Sequence, residues 1–453
     1  MNRDAALPLR VAFWTQGCRL NQYDTEVVKA ALGGYCALTE VPWHAAADLY
    51  VLNSCTVTGK AAQACRRLAR EAKHRQPQAR VVVVGCHAQT QPQDLVALPE
   101  IAAVVGNTCK VDVASWLPAV LAGESGVVKV EPFGAPAPLI EPAIASFSGH
   151  TRAHVKIQDG CDLRCSYCAI WRARGPARSR SLSDVLAQVG RLHGDSRYRE
   201  IILTGVNLGA WGRDLPAPRR EPAADLAGLL VALCDEFPDI RLRLSSLLPG
   251  DLTPALATVL RERPQLQPHV HLSVQSGSDA VLARMRRPYR SDVLRRAAAE
   301  LELIDPACGF GADVIVGFPG ETEAEFAATA DLIATLPFSY VHIFRYSPRP
   351  DTPAAAMTPV RPEAVRARAQ ILRELVDRKR FEFGRRLCGR RRPGVLERPQ
   401  LGAKGRRATL DNYAAVTVSS ELPAGTLVEV AVAGWRDRQL HGEVARVIAE
   451  VGS

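Results

Sequence analysis

The stretch HVKIQDGCDLRCSYC (154–168) runs from a strand-like segment, HVKIQ, through Asp159-Gly160 into three cysteines spaced Cys161-x-x-x-Cys165-x-x-Cys168. Three thiols are one short of a closed tetrahedral zinc site, and an iron–sulfur cluster is also usually held by four. Three thiolates can hold three irons of a cubane and leave the fourth open to a substrate or cofactor, much as catalytic zinc keeps an open position. Zinc with a fourth ligand from elsewhere, a redox dithiol and chance spacing are the competing readings. Location favours the open cluster. The cysteines begin where a strand ends, and barrel active sites are built at the C-terminal ends of strands.

Working outward, residues 151–350 alternate strand and helix patterns. The strand candidates are 154–158, EIILTG (200–205), RLRLSS (241–246), HVHLSVQ (269–275), ADVIVGF (312–318) and YVHIFRY (340–346). Helices such as SDVLRRAAAELELI fit between them, several opening on Ser, Thr or Asp as N-caps. Six βα units are too few for a closed eight-stranded barrel, so an open, partial barrel is expected. Residues 1–120 read the same way. LRVAFWT (9–15), DLYVLNS (48–54), RVVVVG (80–85) and AAVVGN (102–107) are β-branched runs of the kind buried on both faces of a parallel α/β sheet.

Residues 121–150, rich in Pro, Gly and Ala, read as a linker with room for one short strand. Residues 361–392 read as a helix with twelve Lys/Arg against four Asp/Glu by count. Beyond Pro393, short β-like pieces between Gly/Pro turns suggest a small β-barrel. The expected domains are therefore an α/β domain (1–120), a linker (121–150), a partial (β/α)6 barrel with its basic helix (151–384) and a β-barrel (385–453).

Cys18, Cys55 and Cys86 each directly follow a strand: FWTQGC, YVLNSC and VVVVGC. In a parallel sheet the strand C-termini share one edge, where ligands bind. Three cysteines far apart in sequence could converge there, with Gly17 and Gly85 allowing close backbone approach. Three separate buried thiols is the plainer reading. Cys109 also follows a strand and competes by position, whereas Cys65 lies mid-helix.

The bulk properties fit this picture. A chain of 453 residues, 47% hydrophobic, can bury substantial cores. Its net charge of +10 suits a polyanionic partner. No apolar run reaches the roughly 18–20 residues a membrane span needs, and the N-terminus does not read as a signal peptide. A soluble cytoplasmic protein is expected. In that reducing setting clustered cysteines mean metal or redox chemistry more often than disulfides.

Cys-x-x-x-Cys-x-aromatic-Cys in a partial barrel resembles the radical S-adenosylmethionine enzymes. TQGCRLNQYDTE, LNSCTVTGKAA and VVVVGCHAQ resemble the methylthiotransferase branch, and the basic terminal barrel is similar to that branch's TRAM domain, an RNA-binding module. NQYDTE, VKIQDGC, ARGPARSR, ILTGVNLG, HLSVQSGSD and DVIVGFPGET look most like the subfamily that methylthiolates N6-threonylcarbamoyladenosine in tRNA, just 3′ of the anticodon. Sister subfamilies act on isopentenyl-adenosine in tRNA or on a ribosomal-protein aspartate. An alternative of another class is a non-catalytic zinc and RNA-binding protein. One departure from the family pattern is Ala169-Ile170-Trp171 after Cys168, where an aliphatic pair and Pro are usual. This bears on local loop geometry and substrate fit.

The resemblance implies two [4Fe–4S] clusters. One, on Cys161, Cys165 and Cys168, would bind S-adenosylmethionine and generate a 5′-deoxyadenosyl radical that takes hydrogen from C2 of the adenine. The other, on Cys18, Cys55 and Cys86, would present the sulfur to be methylated and transferred. The family has no ligand at the position of Cys109, which is then a structural thiol. Tyr167, Thr204, Asn207, Ser245, Gln275 and Asp313 are the expected cofactor-binding residues, with Ser246, Ser276 and the GFPGE turn (317–321) as further strand-end candidates. Arg172, Arg174, Arg178 and Arg180, the basic helix and the terminal barrel are the expected RNA contacts, since the arginine fork matches phosphate. The implied partners are a tRNA anticodon stem-loop and an electron donor such as flavodoxin or ferredoxin. No membrane partner is implied, and a monomer is expected.

Overall fold

The computed structural model describes residues 8–450 apart from 58, 135–137, 148, 195–197, 217–222, 224, 401 and 403–404. The chain forms two compact units. The first comprises residues 1–146, 159–178 and 349–352; the second comprises 147–158, 179–348 and 353–453.

The first unit is a doubly wound sheet. Its strands lie in the order Leu38–Val41, Leu9–Thr15, Leu49–Ser54, Arg80–Gly85, Ala103–Val105, Val127–Lys129, all parallel. The valines of RVVVVG explain both coverings. Val81 and Val83 join an apolar cluster with Cys65 and Leu68 of the helix Gly59–Arg75, while Val82 and Val84 join one with Val28 and Leu32 of the helix Arg19–Tyr35. Period-two alternation with apolar residues in both phases is what a strand covered by helices on each face requires. One strand was not expected from the sequence, and another is the short strand for which the linker had room. LTEV (38–41) has an exposed, charged middle and forms an edge, and VVK (127–129) closes the other edge from inside the expected linker. The chain steps from the second strand back past the first, so the sheet order reverses between Leu9–Thr15 and Leu49–Ser54.

In the second unit, strands Ala153–Lys156, Glu200–Thr204, Arg241–Leu244, His269–Gln275, Gly309–Val316 and Tyr340–Arg345 form an open, all-parallel (β/α)6 wall. A break at Ser245 divides the third strand, and its continuation Ser246–Leu247 pairs with His269–Gln275. One face of this wall is apolar, with Val155, Leu203, Leu242, Val270, Phe310 and Val314 buried. The opposite phase is polar: Lys156, Glu200, Arg243, His271 and Asp313. A closed eight-stranded barrel fills its interior with branched aliphatic side chains; this one does not.

The basic segment is the helix Pro362–Leu387. Residues 391–449 form a closed five-stranded barrel around Leu396, Leu410, Val428 and Val430, as expected. Among the described residues no helix is long and apolar enough to cross a membrane.

Candidate functional site

All six cysteines of the two triads lie in the first unit, because residues 159–178 pack with the N-terminal sheet. Cys18, Cys55 and Cys86 follow three adjacent strands at their C-terminal edge, beside the point where strand order reverses. Ligands of open α/β sheets bind there. Cys18 is exposed, whereas Cys55 and Cys86 are buried. The three thiols feel one another electrostatically. Burial pushes the Cys55 thiol up to about 12, and Cys86 is raised for the same reason. Gly17 explains the close approach: its φ is +95°, and a Cβ there would sit 2.8 Å from Cys55 Sγ. Gly85 has φ +96° beside Asn53.

Both triads receive N–H groups on sulfur. Val57 N donates to Cys55 Sγ (3.4 Å), Asn107 Nδ2 to Cys86 Sγ (3.6 Å) and Ile170 N to Cys168 Sγ (3.4 Å). Such bonds stabilise thiolate and tune iron–sulfur sites.

The loop that carries Cys161, Cys165 and Cys168 is fastened by Arg174. This side chain is 2% exposed. It donates from Nη1 to both oxygens of Asp159 (3.0 and 3.1 Å) and from Nη2 to Asp24 Oδ2 (2.8 Å) and Asn21 Oδ1 (2.7 Å). Lys110 reaches Asp24 Oδ2 at 2.8 Å. Asn107 Nδ2 donates to the backbone of Ala173 (2.8 Å), and the short helices Cys86–Thr90 and Ile170–Arg174 pack together. Burial alone would lower the Arg174 guanidinium, but Asp159, Cys86 and Asp24 outweigh it and hold it well above its usual range.

That corrects one expectation. Arg174 and Arg180 are buried, at 2% and 3%, and offer no guanidinium to an RNA phosphate at the surface. Arg172 is partly exposed and pairs with Asp351 (2.6 Å). Arg178 donates to the carbonyl of Arg174 and lies 5.3 Å over the Phe133 ring. Trp171, the last residue of the departure from the family pattern, is the second residue of the short helix Ile170–Arg174, and its ring lies 4.0 Å from the Arg164 guanidinium. Cys109 is buried in the apolar cluster with Val82 and Trp116.

In the second unit, Thr204 Oγ1, Asn207 Oδ1 and Ser245 Oγ are buried at the C-terminal end of two neighbouring strands and find no hydrogen-bond partner among the described residues. Orphaned polar groups at a strand-end cleft fit a polar cofactor that would satisfy them. Gln275 ends its strand with φ +64°, a left-handed conformation that non-glycine residues adopt mostly where a site demands it. Ser276 Oγ instead meets Thr329 Oγ1 at 3.1 Å, and Ser246 pairs within the wall. In the GFPGE turn, Gly317 N donates to Glu321 Oε2 (2.9 Å). Tyr167 is half-buried in the first unit.

Asp313 is not open to a cofactor. Its two oxygens accept from His271 Nε2 and His342 Nδ1, each at 3.1 Å. Burial would raise its carboxyl, yet these bonds outweigh that and hold it well below the usual carboxylate range. Deeper in the wall, Arg243, Arg152 and Arg241 likewise outweigh burial and hold Glu200 down at about 2. Arg243 also donates to the carbonyls of Leu410 and Asp411, and its guanidinium lies 5.3 Å over Tyr413 of the terminal barrel.

A cavity of about 860 Å³ opens between the last strand of the wall, the helix Pro362–Leu387 and the terminal barrel. Its lining includes Tyr340, His342, Arg380, Arg407, Tyr413 and Trp435. Aromatic rings interleaved with arginine suit a single-stranded nucleic acid, whose bases stack while its phosphates pair. Sequence reasoning marked the helix and barrel as RNA contacts from their charge; it did not single out the rings, which lie in unrelated segments.

An open (β/α)6 wall together with a three-cysteine loop defines a radical S-adenosylmethionine enzyme, and residues 155–333 match the Radical SAM superfamily. Residues 10–106 match a family described as Uncharacterized protein family UPF0004. The fold is similar to that of the radical S-adenosylmethionine methyltransferase TsrM from Kitasatospora setae, with a TM-score of 0.57 and 14% identity over 77% of this chain and 74% of that one. The chain is 37% identical over 84% of its length to the threonylcarbamoyladenosine tRNA methylthiotransferase MtaB of Thermotoga maritima, covering 85% of it. It is 35% identical over 94% of its length to the protein of that name from Aquifex aeolicus, covering 100% of it. The chain belongs to the radical S-adenosylmethionine methylthiotransferase family, in the subfamily of these relatives, and is an enzyme of that class.

Gly17 gives a direct check on the first triad. Gly17→Ala places a methyl group against Cys55 Sγ at a positive φ, a strain of about 1–3 kcal/mol. The expected result is a lower midpoint in thermal unfolding and a fall in iron per chain after anaerobic reconstitution. Unchanged iron would show that Gly17 serves the turn alone.

Proposed function

We propose that the protein adds a methylthio group to C2 of N6-threonylcarbamoyladenosine next to the anticodon of tRNA, using S-adenosylmethionine and two [4Fe–4S] clusters. The observation that carries this is the presence of both three-cysteine sets in one compact unit, in a chain whose relatives bear that activity's name. Cys161, Cys165 and Cys168 would hold one cluster, and Cys18, Cys55 and Cys86 the other. Bound together, these groups supply one-electron chemistry that no acid or base in the chain could perform on an unactivated C–H bond.

The chain's own part is placement. Asn107 bridges Cys86 Sγ and the Ala173 carbonyl, and Arg174 ties the short helix after Cys168 to Asn21 and Asp24 of the helix Arg19–Tyr35. Thr204, Asn207, Ser245 and Gln275 would take the polar groups of S-adenosylmethionine. The arginine-lined and aromatic cavity would hold the anticodon loop, whose unpaired bases can be splayed out and stacked. The N–H donors on Cys55, Cys86 and Cys168 would favour the thiolate form that iron needs, and at Cys55 and Cys86 they oppose the burial that raises both thiols.

The test is mass spectrometry of tRNA nucleosides from a strain lacking the gene. The methylthiolated threonylcarbamoyl nucleoside should disappear and its unmethylthiolated precursor should accumulate. Its persistence, with no paralogue present, would exclude this substrate.

A further inference from the structure

We infer that His342, held by Asp313, is the residue that reads the anionic substituent of the substrate purine, through a contact from ring Nε2 to a carboxylate. The inference rests on the proposed function and names the group that distinguishes this substrate.

Three observations carry it. The first is orientation. A carboxylate only accepts, so the 3.1 Å contact to Asp313 Oδ1 requires the proton on His342 Nδ1. The ring is thereby fixed, with Nε2 on its far edge, and the side chain is 58% exposed. Nε2 takes no partner among the described residues. The second is charge. Asp313 already holds His271 on its other oxygen, and His271 is backed by the hydroxyl of Tyr340 at 3.1 Å. In its cationic form an imidazole donates from both ring nitrogens, so with Nδ1–H spent on Asp313 the Nε2–H of His342 would be the donor a substrate carboxylate needs. The third is place. His342 is paired directly with Asp313 across neighbouring strands, on the polar phase of the wall, and it also lines the cavity that holds Arg380, Arg407 and Tyr413. A nucleotide lying in that cavity would bring its phosphate to arginine and its base to the histidine.

A threonylcarbamoyl group ends in a carboxylate; an unmodified adenosine or an isopentenyl-adenosine has none. The experiment measures binding of synthetic anticodon stem-loops to the full-length, anaerobically reconstituted protein by fluorescence anisotropy. One loop carries N6-threonylcarbamoyladenosine and the other adenosine at the same position. The wild type should bind the modified loop about tenfold or more tighter, the worth of a hydrogen bond to a charged group. His342→Ala should bring that ratio close to one. His342→Gln, which keeps a polar side chain without the charge, should lie between. A wild-type preference retained by His342→Ala overturns the inference and leaves the proposed function standing. A fall in affinity for both loops alike keeps the ratio and overturns it too. A wild type that does not prefer the modified loop counts against the proposed function itself.

Discussion

Replacing Cys161, Cys165 and Cys168 together by Ala should abolish cleavage of S-adenosylmethionine and lower product by more than about a thousandfold, with iron falling from about eight to about four per chain. The complementary triple variant, Cys18→Ala, Cys55→Ala and Cys86→Ala, should also fall to about four irons. It should still cleave S-adenosylmethionine when supplied with reductant, yet form no methylthio nucleoside. The physical basis, on the proposed function, is that each set lacks a fourth thiol, so each site would keep an open position and the two positions would serve different ligands. Cys55 and Cys86 are buried, and Ala there removes a sulfur without adding bulk. Iron, sulfide and 5′-deoxyadenosine are assayed on the same preparations. A first variant that keeps about eight irons, or a second that still methylthiolates, would sink the division of labour.

How far the site was legible in the sequence depends on how each part is encoded. The Cys161–Cys168 loop is local, so its spacing alone raised the question of an open position. Cys18, Cys55 and Cys86 are scattered, but each ends a β-branched run, and a parallel sheet gathers such ends. The edge strand Leu38–Val41 escaped because only its ends are apolar. The polar wall of the second unit escaped for a related reason. His269 and His271, and Tyr340 and His342, alternate with valine, leucine and isoleucine, and the pattern says strand without saying that the polar phase faces partners from other strands. Arg174 was read as an RNA contact because arginine near a cluster suits phosphate. Its true partners are Asp24 and Asp159, one of them 150 residues away, and no local pattern announces such a pairing.

Arg174 is also where the largest effect on stability is expected. Its side chain and those of Asp24 and Asp159 are all almost fully buried, at 2%, 1% and 6% exposure. Removing one member of a buried ion network leaves charge that is neither solvated nor paired, at a cost of about 3–5 kcal/mol. Arg174→Met should therefore lower the unfolding free energy of the first unit, read from urea denaturation, by that amount. Arg174→Lys keeps the charge but not the fork. A single ammonium cannot serve Asp159 at Nη1 and Asp24 at Nη2 together, so roughly half the loss should remain. Asp24 retains its ion pair with Lys110 in either variant, whereas Asp159 loses its ion pair with Arg174 and keeps the Gly160 N–H on Oδ1. The double variant Arg174→Met with Asp159→Asn should consequently be more stable than the sum of its single changes predicts, by about 1–3 kcal/mol. If Arg174→Met unfolds within about 1 kcal/mol of the wild type, the network is not what fastens the cysteine loop. If the double variant is additive, Asp159 is not the partner that bears the loss. Because Arg174 closes the short helix that follows Cys168, the same substitution should lower iron retained by that loop even where the rest of the unit stays folded.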